Sequence, residues 1–170
     1  MNKFFANNLE ELKEALKSQK NLVNLTFDWC FNQKIEKEVL PKSLVNLTFG
    51  YFFNQKIEKE VLPNGLVNLT FGYHFNQKIE KEDLPTNLKK LKIFCNYLTK
   101  NNKNIKLYDI KSLEIYFIYN SNKKIKYISN KIEEIILENY NYKIDNLNNN
   151  VKKLELINCI NSKNIPNTIK

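Results

Sequence analysis

Few residues in this 170-residue chain have the chemistry of a catalyst. There is one histidine, His74, and there are three cysteines, Cys30, Cys95 and Cys159. Histidine can act as a base or metal ligand, and cysteine as a nucleophile or ligand. Here the cysteines are widely separated and form no C-x-x-C pair. A zinc site is therefore not expected, and the thiols read as reduced. No nucleophile is paired with His74 in sequence, and no phosphate loop, nucleophile elbow or carboxylate constellation occurs. The chain reads as non-enzymatic, without metal or cofactor.

Two polar groups recur. The amide pairs Asn32–Gln33, Asn54–Gln55 and Asn76–Gln77 could bind sugar hydroxyls. The segment KIEKE, at 34–38, 56–60 and 78–82, could be taken for a charged recognition site. Both return unchanged at a fixed interval, which points to structure instead. The nine-residue phrases FDWCFNQKI (27–35), FGYFFNQKI (49–57) and FGYHFNQKI (71–79) repeat every 22 residues, each after LVNLTF. The underlying spacing, L-x-x-L-x-Φ, continues where identity fades. It occurs at Leu88, Leu91 and Ile93; at Ile110, Leu113 and Ile115; at Ile132, Ile135 and Leu137; and at Val151, Leu154 and Leu156. The period is 22 up to Ile132 and 19 at Val151, and IPNTIK opens an eighth copy.

Alternation of apolar and polar residues is the pattern of a strand with one buried face. A 22-residue unit cannot enclose a core alone, but stacked copies can, each strand pairing in parallel with the next. The expected class is an α/β repeat protein, mostly β. Its form is a leucine-rich-repeat-like right-handed solenoid with a parallel concave sheet of about seven strands and an N-terminal capping helix. Residues 1–21 form the cap, and residues 22–170 form one solenoid of seven 19–22-residue repeats plus the start of an eighth.

With Leu22 as position 1, Phe31, Phe53, Phe75, Tyr97 and Tyr119 share position 10. Ile35, Ile57 and Ile79 share position 14, and Leu40, Leu62 and Leu84 share position 19. These columns should fill the core. Position 9 holds Cys30, Phe52, His74, Asn96, Ile118, Tyr140 and Cys159. It reads as core or near-core, so His74 is expected to be a buried structural histidine. Asn32, Asn54, Asn76, Asn120 and Asn161 share position 11. Where the chain leaves the strand, backbone groups lose their ladder partners, and an amide can both donate to and accept from them. This column is expected to be a structural asparagine ladder. Leu40–Pro41, Leu62–Pro63, Leu84–Pro85 and Ile165–Pro166 punctuate the return to the next strand. KIEKE reads as a solvated face whose charge columns alternate in sign.

The stretch LTFGYFFNQKIEKEVLPNGL resembles an FNIP repeat, a leucine-rich-repeat relative of slime moulds and of giant viruses of amoebae. The match is strong over 22–88 and degenerate over 89–170. The family commonly has proline after the Phe-Asn-x triplet; here Lys34, Lys56 and Lys78 stand there. Many viral members resemble substrate-selecting subunits that carry an F-box ahead of the repeats. The 21 residues before Leu22 are too few for one, so no ligase link is expected from this chain alone.

Those residues read as a cap. Asn8 and Glu11 have capping-box spacing, and Phe5, Leu9, Leu12 and Leu16 fall on one face of a helix over 8–18. The other end has no equivalent, and weak self-association there is an expectation. No apolar run is long enough to span a membrane and the N-terminus lacks a signal-peptide pattern, so a cytoplasmic location is expected. If the chain is viral, that is the host cytoplasm.

The net charge of +9 comes entirely from the second half. Residues 1–85 carry 11 lysines and 11 acids, and residues 86–170 carry 16 lysines and 7 acids. A basic half can serve an anionic partner. The chain has no arginine, however, and abundant Lys, Asn, Ile, Tyr and Phe, a bias typical of AT-rich coding. Without the bidentate fork of arginine, the composition argues against evolved nucleic-acid binding. A binding surface remains. The outward strand residues should line the concave face, with Trp29, Tyr51, Tyr73, Lys90, Lys92, Phe94, Glu114 and Tyr116 as candidate contacts. Exposed aromatics beside charges are typical interface anchors. The leading expectation is a protein–protein interaction scaffold for a partner of unknown identity, with a target-selecting adaptor in host–virus interplay as its finer form. The alternative is a binder of anionic partners through the basic second half, separable by its steeper salt dependence.

Overall fold

In the computed structural model, residues 3–19, 21–94, 110–116, 131–140 and 150–159 are described. The repeat folds as read. Strands β2 (Asn24–Phe27), β3 (Asn46–Thr48), β4 (Asn68–Thr70), β5 (Lys90–Phe94), β6 (Ser112–Tyr116), β7 (Glu134–Glu138) and β8 (Lys153–Ile157) each open one coil. They pair in parallel, in sequence order. Position 3 meets position 3 throughout: Asn24 faces Asn46, then Asn68, Lys90, Ser112, Glu134 and Lys153. The shorter last period leaves this register intact. The architecture is a leucine-rich-repeat-like solenoid.

One strand was not anticipated. β1 (Lys3–Ala6) lies ahead of coil one and pairs with β2, giving eight strands instead of about seven. Helix α1 (Leu9–Ser18) then forms the return leg of this leading coil. The Asn8 side chain accepts the Glu11 N–H at 2.9 Å, as an N-cap does. The Glu11 carboxylate reaches back one residue further than the capping box predicts, to the N–H of Asn7 at 3.0 Å. Leu12 is fully buried, and Leu9 and Leu16 pack on the core. Phe5 belongs to β1, not to the helix face, and is exposed; strand alternation turns Phe4 and Ala6 inward in its place.

The core is built from columns. Positions 1 and 4 are buried in coils one to six. Phe27, Phe49 and Phe71 at position 6 stack on Phe31, Phe53 and Phe75 at position 10, with centroids 3.8–3.9 Å apart inside each coil. Between coils the same rings are 5.4–6.0 Å apart. Six phenylalanines thus form one lattice through three coils, each pair worth about 0.5–1.5 kcal/mol beyond burial. Ile35, Ile57, Leu40 and Leu62 close the core on the return side.

Coils one to three leave the strand differently from coils six and seven. In the early coils, a turn closes at position 10: the N–H groups of Phe31, Phe53 and Phe75 donate to Asp28, Gly50 and Gly72 carbonyls at 3.1–3.2 Å. In the late coils the strand runs on to position 7, and Asn139 and Asn158 follow at φ 58° and 54°. That left-handed residue redirects the chain, so Tyr140 at position 9 is buried.

A surface aromatic ladder as candidate functional site

The early turn places positions 8 and 9 at its outer corner. This corrects the core reading of position 9: Cys30, Phe52 and His74 are exposed, and of the described residues in this column only the late-coil Tyr140 is buried. His74 is a surface residue, not a buried structural one. The signal was in the sequence. Position 10 repeats Phe in all three coils, whereas position 9 drifts from Cys to Phe to His, and a packed column does not tolerate such drift.

The result is a two-column aromatic surface. Trp29, Tyr51 and Tyr73 at position 8 stack face to face, with centroids 4.2 and 4.8 Å apart and planes within 2°. Phe52 and His74 at position 9 lie 5.0 Å apart and cross the first column at 73–80°. Trp29 is 58% exposed and Phe52 43%. Phe94 meets Tyr73 edge-on at 5.6 Å, because it sits at position 7 of a longer strand. Tyr116 occupies the same place in β6, opposite Phe94, but its side chain lies outside the described residues.

Backbone approach makes the stack possible. The Phe52 and His74 N–H groups donate to the Trp29 and Tyr51 carbonyls at 3.1 and 3.0 Å. A Cβ on Gly50 would lie 1.7 Å from the Asp28 carbonyl oxygen, and one on Gly72 would lie 1.8 Å from that of Gly50. Glycine is required at these two positions by space.

Two amide ladders flank the aromatics. At position 11, the Asn32 Oδ1 accepts the Asn54 N–H at 2.9 Å, and the Asn54 Oδ1 accepts the Asn76 N–H at 3.0 Å. Gln55 and Gln77 amides donate to the same oxygens at 3.1 Å. The Gln33 Oε1 accepts the Leu9 N–H at 2.8 Å and ties the helix to coil one. Asn120 and Asn161 lie outside the described residues. The second ladder was missed: on the strand face, Asn46 Nδ2 donates to Asn24 Oδ1 at 2.6 Å, and Asn68 repeats the bond to Asn46. Its signal was the invariant Asn of LVNLTF.

Residues 20–52 and 53–96 match the FNIP Repeat family. Those two segments carry FNIP repeats. Its fold is also similar to the crystal structure of CroV588, a circular leucine-rich-repeat protein of a giant virus. The two are 33% identical with a TM-score of 0.65, over 89% of this chain and 23% of that one. This chain therefore spans about a quarter of that protein's length. No curated protein matches the chain.

Past the FNIP coils of the first half, the strand face is charged, and the charges meet each other. Lys92 pairs with Glu114, which Lys90 also approaches at 3.8 Å. Glu134 accepts from the Ser112 hydroxyl at 2.6 Å and from Lys153 at 2.7 Å, and these bonds hold its carboxyl below the usual range, Lys153 contributing most. Of the sequence candidates, then, Trp29, Tyr51, Tyr73 and Phe94 come together, while Lys90, Lys92 and Glu114 form a separate paired cluster. On the return legs, Lys34–Glu58 and Lys37–Glu60 pair between coils at 3.3 and 2.8 Å, as solvated faces do. Cys159 donates its thiol to the Leu137 and Ile157 carbonyls, and burial pushes its pKa up, which makes it a poor nucleophile. Cys30 is exposed, and Cys95 lies outside the described residues. Among the described residues, no group of three or more His, Cys, Asp or Glu side chains could hold a metal ion, and no helix is long and apolar enough to cross a membrane.

Proposed function

We propose that this protein is a non-enzymatic interaction scaffold that docks a partner protein on the aromatic ladder of its first three coils. The observation that carries the reading is the exposure of Trp29 and Phe52 in an ordered, uncharged stack. Large exposed aromatics on a rigid frame are the usual anchors of protein interfaces, because little side-chain entropy is lost on binding. The solenoid supplies the rigid frame, since each coil is bonded to the next. A target-selecting adaptor at the interplay of host and virus, working in the cytoplasm, is the finer form of this reading. The giant-virus neighbour bears on the viral setting of this reading alone.

Binding of an anionic partner through the basic second half is less favoured. Lys90, Lys92, Lys152 and Lys153 each lie beside a glutamate. A basic surface built for phosphate would leave its cations free to release counterions.

The test compares immobilised wild type with Tyr51→Ala/Tyr73→Ala in amoebal lysate, washed at low and high salt. The scaffold reading expects at least one protein held by wild type at high salt and lost by the double variant. Identical captured sets, or capture that disappears for both at high salt, refute it.

A further inference from the structure

We propose that the ladder's ligand is a proline-rich segment in the polyproline II conformation, laid along the solenoid axis; this rests on the reading above that the ladder docks protein. Three observations converge. The first is spacing. The 4.2 and 4.8 Å steps carry the ladder about 9 Å from Trp29 to Tyr73, and one polyproline II turn of three residues advances about 9.3 Å. An extended strand presents like-facing residues about 6.6–6.8 Å apart, which is out of phase with both one and two coils.

The second is polarity. Among the described residues, the Trp29 indole N–H and the Tyr51 and Tyr73 hydroxyls have no protein hydrogen-bond partner. They are three donors on one stacked column. A proline-rich segment offers backbone carbonyls that no internal bond uses and lacks N–H groups at its prolines. Such donors complement it, and other extended peptides would leave their own N–H groups unpaired.

The third is shape. Phe52 and His74 stand at 73–80° to the first column. Their rings form a second wall beside the first, and proline rings can pack in the angle between them. The segment is already extended in solution, so ordering it costs little entropy.

The sole tryptophan, Trp29, sits in the ladder and reports binding directly. The experiment titrates the full chain with a deca-proline peptide and follows Trp29 emission, with (Gly-Ser)5 and (Thr-Val)5 peptides as controls. The expected result is a saturable change with deca-proline alone. Tyr51→Phe and Tyr73→Phe keep the ring stack and remove only the hydroxyls, and each should weaken binding roughly three- to tenfold, the effect of one hydrogen bond. No saturable change, equal binding of (Thr-Val)5, or full affinity in both Tyr→Phe variants overturns the inference. If deca-proline fails but the Tyr51→Ala/Tyr73→Ala variant still loses a lysate partner, the scaffold reading stands and this ligand assignment falls.

Discussion

Replacing Gly72 by alanine should open the stack between coils two and three. The new Cβ would lie 1.8 Å from the Gly50 carbonyl oxygen, and Tyr51 O would be 3.0 Å away. Reaching ordinary van der Waals separation requires a retreat of about 1.5 Å. The His74 N–H bond to Tyr51 O, now 3.0 Å, would then exceed hydrogen-bonding distance. Both of its groups lose their partner, at about 1–3 kcal/mol. The Tyr51–Tyr73 and Phe52–His74 contacts separate as well, at about 0.5–1.5 kcal/mol each. The expected loss is about 4 kcal/mol, a large part of the stability of a domain this size. Urea unfolding followed by Trp29 fluorescence and far-ultraviolet circular dichroism measures it. Gly65→Ala is the control. Its Cβ would lie 3.1 Å from Lys42 O, and its cost should stay within about 1 kcal/mol. If Gly72→Ala unfolds within about 1 kcal/mol of Gly65→Ala, the close-approach argument is wrong.

Other substitutions probe other parts of the stack. Asn54→Ala leaves the Asn76 N–H and the Gln77 amide without their shared acceptor and should cost about 1–3 kcal/mol in urea unfolding; Asn54→Asp, which still accepts, should cost less. Glu38 sits at φ 66°, where a side chain costs roughly 1–2 kcal/mol, so Glu38→Gly should raise the unfolding free energy measured in urea by about 0.5–1 kcal/mol after glycine's chain entropy is counted. Glu134 has a folded pKa below its ordinary value of 4.5, so its pairing stabilises the fold above that pH and is lost as the pH falls through the lowered value. Glu134→Gln should therefore flatten the fall in thermal midpoint between about pH 5 and 3, and an unchanged fall would show that Lys153 and Ser112 do not matter to stability.

The fold was legible because its unit is short and printed many times. Leu22, Leu44 and Leu66 announce the period, and L-x-x-L-x-Φ carries it to Leu156 after identity is gone. β1 was hidden because MNKFFA keeps the spacing only as Met1, Phe4 and Ala6, with no leucine of the later copies, and stands 21 residues before Leu22 instead of 22. Phe5 was assigned to the helix by periodicity alone, and strand alternation overrode it. The ladder was half legible. Trp29, Tyr51 and Tyr73 read as outward residues, although position 8 has the parity of the buried positions 4 and 6; they, like Phe52 and His74, depend on how the chain leaves the strand. Early turns closing on position 10 and late left-handed Asn139 and Asn158 send position 9 to opposite sides. A pattern of residue types does not encode that backbone choice until the turn itself is known. Pairing among Lys90, Lys92, Glu114 and Glu134 was equally invisible, since it joins residues 22 apart through the register.

The glycines also bear on how the coils find their order. Coils two and three are nearly interchangeable in sequence, so a folding chain could stack them one place out and keep every ladder bond. Coil one differs at one decisive point: it has Asp28 where they have Gly50 and Gly72. In the same turn, a side chain there collides with the carbonyl of any coil placed before it. Asp28 follows only the leading β1–α1 unit, where its N–H donates to Ala6 O at 2.8 Å. One Cβ thus tells three look-alike coils which of them is first.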